Sequence, residues 1–205
     1  EQLCRIYRPP VLAYLHRSCF GSEEAEDLAQ AFFLHFVEHG VHARADPERG
    51  RFRTLLLTSL RHFLADRRAQ AHALKRGGDT AMARDIDPDT LESPDETPEQ
   101  AFMRAWLGTV LGRAMQRLRR EWERAGRLEQ FERLVPLLSE TVEPSELRAI
   151  ADAAGIRPNT LAVQLHRMRQ RLQQLIRLEL SDTVDGHDAL ERELDELRHV
   201  LDGIG

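Results

Sequence analysis

The chain has 205 residues, 41% of them hydrophobic and 6% aromatic, and a net charge of −5. That length allows one domain or two small ones with folded cores, and no apolar run of about 18 residues offers a membrane span. Two cysteines, Cys4 and Cys19, form no CxxC pair and argue against a disulfide scaffold or a cysteine zinc site. With no signal peptide in view, a reduced, cytoplasmic setting is the simplest expectation. The charge is strongly blocked. Residues 48–76 carry +6 and 145–177 carry +4, while 77–99 and 178–205 each carry −7. Two separated basic blocks suggest two contacts with a polyanion.

Arg, Leu, Ala and Glu dominate, and no alternating strand pattern appears, so the expected fold is all-α. Residues 2–18 read as a helix with Leu3, Ile6, Tyr7, Val11, Tyr14 and Leu15 on one side, bent or interrupted at Pro9–Pro10. Ser22 is the expected N-cap of a second helix, and Glu23, Glu24 and Glu26 suit the positive end of its dipole. That helix buries Leu28, Phe32 and Phe36, with Phe33 and Val37 as further candidates for the buried side, and ends at Gly40. His35 and His39 have an i, i+4 metal-binding spacing but no third ligand, so surface histidines are expected and no metal. After a polar loop at 41–50, a third helix buries Phe52, Leu55, Leu56, Leu60, Phe63 and Leu64 and shows arginines outside.

Residues 77–99, with Gly-Gly, three prolines and eight acids, read as a linker between domains at 1–76 and 100–180. From Gln100 a long helix carries Phe102, Trp106, Val110, Leu111, Met115, Leu118 and Trp122, with a break at Gly126 and a bend at Pro136. Within 145–176, Leu147, Ile150, Ala151 and Ala154 form one short apolar face. Gly155 ends that helix, and Pro158 opens a second one burying Leu161, Leu165, Met168, Leu172 and Leu175. Helix, glycine turn and second helix make either a plain αα-hairpin with a solvated arginine face or a helix-turn-helix DNA reader. In the second case Arg157, Asn159, Thr160 and Gln164 face base edges, and Arg167, Arg169 and Arg171 meet phosphates. Residues 181–205 read as an acidic extension with a short helix carrying Leu190, Leu194, Leu197 and Leu201, which either caps the core or competes with DNA for a basic surface.

Three stretches together resemble the extracytoplasmic-function (group 4) sigma factors of the sigma-70 family. They are EEAEDLAQAFFLHF at 23–36, DPERGRFRTLLLTSLRHFLADRRAQ at 46–70, and AIADAAGIRPNTLAVQLHRMRQRL at 149–172. The acidic tail is similar to the C-terminal extension of a subgroup found beside serine/threonine kinases. The resemblance implies an RNA polymerase specificity subunit and not an enzyme, with no cofactor. Its partners would be core polymerase, through the clamp coiled coil of the largest subunits and the flap, and promoter DNA. A serine/threonine kinase or an anti-sigma factor would be a regulatory partner.

By the same resemblance Glu26, Asp27, Leu28 and Gln30 would dock on core polymerase. Arg49, Arg51, Phe52 and Arg53 would contact the −10 element and help trap an unstacked base, with Arg61, Arg67 and Arg68 on the backbone. The second helix of the helix-turn-helix would read the −35 element. The departures are Ala31 where the family has glutamate, Leu55 or Leu56 in place of an early tryptophan, and Ala162, Val163 and Gln164 where Lys, Ser and Arg are common. Ala31 removes a carboxylate from the docking helix, and a phosphate on Thr54 would restore negative charge there. The readings from other classes are a stand-alone helix-turn-helix regulator and an all-α interaction adaptor.

Overall fold

The computed structural model describes residues 2–18, 20–40, 52–76, 96–138, 143–153, 155–181, 190–191 and 194–195. The loop at 41–51, with Arg49 and Arg51, lies outside the described residues, as do Cys19, the stretch 77–95 and most of the acidic tail. The protein is all-α: the described residues form helices and their connections, with no strand among them. The helices are α1 (Gln2–Arg17), α2 (Ser22–Glu38), α3 (Phe52–Arg76), α4 (Pro98–Arg124), α5 (Leu128–Leu134), α6 (Pro144–Ala153) and α7 (Pro158–Ser181), with a 3-10 turn at Val135–Leu138.

Two sequence expectations shift at the start of the chain. α1 is continuous from Gln2 to Arg17, so of the bend or interruption expected at Pro9–Pro10 the interruption does not occur. Complete burial of Val11 and Leu15 just beyond the prolines keeps the segment helical despite the two missing donors. Ser22 is the first helical residue of α2, not its cap. Gly21 holds the cap position in an extended conformation, and the first intrahelical bond runs from the Ala25 N–H to the Gly21 carbonyl.

The chain forms two compact units, Glu1–Thr109 with Thr183–Gly205, and Val110–Asp182. The division falls inside α4, whereas the sequence reading opened the second domain at residue 100. The reason is aromatic. Trp106 is fully buried, stacks on Tyr7 at 4.8 Å between ring centres, and lies 6.2 Å from both Phe52 and Phe102. A capping box starts α4: Thr97 N–H donates to Gln100 Oε1, and Gln100 N–H donates to Thr97 Oγ1. Arg17 Nε donates to the Glu96 carbonyl from α1, holding that end in place. The remaining core of the first unit is α2 against α1 and α3, with Phe32, Phe36, Leu56 and Leu60 fully buried.

The second unit closes around Ala114, Leu118, Phe131, Leu134, Leu137, Ala151, Leu161, Leu165, Met168 and Leu175. Glycine ends two of its helices by the same device. At Gly126 (φ 68°) and Gly155 (φ 65°) the glycine N–H bonds three residues back, and the next N–H bonds five back, as in a Schellman cap. A Cβ at Gly155 would meet no atom within 4 Å, so alanine there strains only the backbone. Gly155→Ala is expected to destabilise the second unit by about 1 kcal/mol. Urea unfolding followed through Trp122, which lies against that core, measures it.

Candidate nucleic-acid and protein-docking surfaces

α2 has two faces fixed by helical periodicity. Ala25, Leu28, Ala29, Phe32, Phe33 and Phe36 are buried, and Glu23, Glu24, Asp27, Gln30, Leu34 and Val37 are exposed. The four residues expected to dock therefore separate. Asp27 and Gln30 stand on the outer face. Glu26 is half-buried and ion-paired with Arg8 from α1, while Leu28 belongs to the core. Leu34, 59% exposed, and Val37, 46% exposed and so not on the buried side where the sequence reading set it, add an apolar element to the outer face. Their positions, six and nine residues after Leu28 and off its stripe, carried that signal.

α3 sorts its basic residues in the same way. Arg61, Arg67 and Arg68 are exposed, and Arg67 lies over the Phe63 ring at 5.5 Å. Arg67 also lines an open cleft with Gly21, Ser22, Glu23, Glu24, Asp27 and Leu28, so one proposed DNA contact and two proposed docking residues border the same hollow. Arg53 is placed otherwise. It is only 6% exposed, and its guanidinium donates to Met103 Sδ, so it faces the interior and not a DNA surface. Phe52 is half-buried, 5.0 Å from Tyr7 and edge-on to Phe36, which makes it part of an aromatic cluster and not a free stacking platform. Thr54 is exposed in the first turn of α3. Near this surface, burial and the neighbouring Glu99 raise the Tyr14 phenol above its ordinary range, against the opposing pull of Arg61 and Arg68. The His35 and His39 rings lie 4.0 Å apart, tilted by 34°, and among the described residues no group of three or more potential ligands could hold a metal ion.

In the helix-turn-helix, Ile156 is half-buried behind the Gly155 turn and packs on the core of the second unit. The Arg157 carbonyl accepts from the N–H groups of both Thr160 and Leu161, which starts α7. At about 100° per residue, a buried stripe through Leu161, Leu165, Met168 and Leu175 leaves a defined opposite face. Arg157, just before α7, and Asn159, Thr160 and Arg167 in its first three turns are all exposed. Gln164 sits at the edge of the stripe, half-buried, with its Oε1 out of contact with solvent and without a hydrogen bond.

Arg169 and Arg171 are engaged inside their own unit instead of being held out for phosphates. Arg169 donates to the Leu137 carbonyl at 2.7 Å. Arg171 grips Glu121 of α4 with two bonds of 2.6 and 2.9 Å, and donates a third to Gln174. Both flank the buried stripe, where a long side chain reaches neighbouring elements more readily than a groove. The hydrogen bond from Arg171 holds the Glu121 carboxyl below its usual 4.5, against a smaller opposing effect of burial. A lowered folded-state value means that the pair stabilises above about pH 4.5 and is lost as acid protonates the carboxylate. Because the two side chains are 42% and 38% exposed, screening keeps the effect below about 1 kcal/mol. Arg171→Gln should therefore flatten the second unit's loss of stability below pH 4.5. Thermal unfolding at pH 3.5 and 7 reads the difference.

A second clasp was missed by the sequence reading. Glu179 Oε2 accepts from Arg113 at 2.5 Å and Glu179 Oε1 lies 2.9 Å from Arg117, with the Glu179 side chain 4% exposed. The signal was present: Glu179 continues the stripe 161, 165, 168, 172, 175 at the next step of four. A charge on a core stripe asks for a buried partner.

No helix among the described residues is long and apolar enough to cross a membrane. Residues 3–86 match the family model for Sigma-70 region 2, a span that takes in α1, α2 and α3. No curated protein and no solved structure matches the chain.

Proposed function

We propose, for a chain that carries a sigma-70 region 2 and is on that support a sigma factor of the sigma-70 family, the role of an extracytoplasmic-function (group 4) member that acts in the cytoplasm without catalysis. Sigma region 2 implies core RNA polymerase and promoter DNA as partners. In this reading the outer face of α2, with Asp27, Gln30, Leu34 and Val37, docks on the clamp coiled coil. The basic face of α3, with Arg61, Arg67 and Arg68, follows the DNA backbone beside the −10 element. The outer face of α7, with Asn159, Thr160 and Arg167, reads the −35 element together with Arg157 just before it. The observation that carries the reading is the region 2 match on α1–α3, joined to a separate unit whose last helix, α7, presents polar residues outward.

Regulation is the finer part of the proposal. Thr54 is exposed near the N-terminus of α3, where a phosphate would be stabilised by the helix dipole. A phosphate there would replace the carboxylate that Ala31 leaves out of the docking helix. The kinase-associated subgroup rests on the composition of the acidic tail alone.

The test is co-elution of the full chain with bacterial core polymerase on a sizing column, run beside Thr54→Glu and a chain lacking residues 181–205. Stoichiometric co-elution of the wild type supports the sigma reading, and in vitro transcription then identifies promoters. Co-elution by a variant alone points to a sigma factor held inactive. Duplex binding without polymerase, and no co-elution by any of the three, favours a stand-alone regulator.

A further inference from the structure

Val163 is an anomaly on α7. It is 41% exposed, one of five large apolar residues left open to solvent among the described residues. It stands two residues past Leu161, hence about 200° around the helix from the buried stripe, at the centre of the opposite face. Asn159 lies four residues before it and Arg167 four after, both exposed, so the three form one row along the helix. Polar residues fill the rest of that face: Thr160, His166 and Gln170 are exposed too. A β-branched residue gains nothing for an exposed helix, since it lowers helix propensity and leaves methyl groups in water. What it does supply is rigidity. In a helix valine has one strongly preferred χ1, so its two methyl groups point in a fixed direction.

In the major groove the one apolar group on any base edge is the 5-methyl of thymine. We infer that Val163 is a specificity-determining residue that selects a thymine in the DNA read by α7, by packing its fixed methyl groups on the thymine methyl. Asn159 and Arg167 supply the polar contacts on either side of it. The inference rests on the reading of α7 as the DNA-reading helix. It adds the base that the middle of the row prefers.

The experiment uses the full chain with core polymerase. A promoter is first selected from a duplex pool randomised upstream of the start site, and each thymine in the selected upstream element is then replaced singly by uracil, which lacks only the methyl. At one position the replacement should lower transcription by the wild type about fourfold, the worth of one methyl contact. Val163→Ala should show a similar loss on the thymine duplex and no further loss on the uracil duplex, because both changes delete the same contact. If uracil is tolerated at every position while Asn159→Ala and Arg167→Ala still impair transcription, the assignment to Val163 is wrong and the reading of α7 survives. An equal uracil penalty in wild type and Val163→Ala also overturns it. If none of the three α7 variants alters promoter use, both the assignment and the reading of α7 fail.

Discussion

Trp106→Ala is expected to destabilise the first unit by about 3–5 kcal/mol, the range for deleting a fully buried large aromatic. The ring is wholly enclosed and closes a cluster with Tyr7, Phe52 and Phe102, so its removal leaves a cavity bounded by side chains from three helices. Its indole N–H has no hydrogen-bond partner, so no polar interaction is lost with it. Trp106→Phe should therefore cost well under half as much, since most of the buried area returns. The two tryptophans of the chain make the measurement clean, one standing in each compact unit. In Trp106→Ala the remaining fluorescence comes from Trp122, which is packed near Phe131 and under the Arg127 guanidinium. Urea unfolding should then show loss of helical signal at low urea while the Trp122 transition keeps its midpoint. A helical transition unchanged to within 1 kcal/mol would show that the aromatic cluster is not what holds α4 to the first unit.

Loss of both arginines from the Glu179 clasp should be the second large effect. Arg113→Met with Arg117→Met leaves a carboxylate 4% exposed with both of its cations gone, a change expected to cost about 3–5 kcal/mol. The reverse deletion is milder. Glu179→Met leaves two arginines that are already 38% and 46% exposed and can swing into water. Converting all three to methionine should restore most of the stability, because well-packed apolar groups often replace a buried ion pair without loss. Trp122 fluorescence in urea ranks the four proteins, and an arginine pair no more costly than Glu179→Met would refute this account of the clasp. The functional corollary is positional. The clasp joins α4 to the last turns of α7, and Arg171–Glu121 joins the same helices two turns earlier. In the proposed role of α7 as the −35 reader, promoter selection by its outer face should fail in the arginine pair at temperatures where the wild type works, with every outward residue intact.

Much of this was legible in the residues. Period and caps placed seven helices, because apolar stripes such as Leu161, Leu165, Met168 and Leu175 are forced by burial, and Gly126 and Gly155 stop helices by a conformation that other residues resist. Region 2 was legible as a resemblance in the spacing of acidic and aromatic residues on α2 and of arginines on α3. What local pattern could not supply was the destination of long side chains. Arg53, Arg169 and Arg171 count as surface charge in a sequence, yet each has an acceptor elsewhere in its own unit: Met103, Leu137 and Glu121. Those partners lie 50, 32 and 50 residues away, beyond any window that reads helical faces. The division of α4 between two units had the same cause, since Tyr7 and Phe52 meet Trp106 only in the folded chain.

The inward engagement of Arg169 and Arg171 has a consequence for how firmly α7, in its proposed role, would hold a duplex. Each phosphate neutralised by a free cation releases condensed counterions, and the salt dependence of affinity counts them, at about 0.9 per phosphate. With those two arginines bonded at home, the N-terminal end of α7 and the residue before it offer Arg157 and Arg167. The slope of log affinity against log salt for this half should then be near −2, with little of the indiscriminate grip that a fully basic helix would have. In that role α7 would dwell on DNA mainly through base contacts, and weakly when alone. Useful occupancy would then have to come from tethering: a second attachment that keeps the helix at high effective concentration over one stretch of duplex.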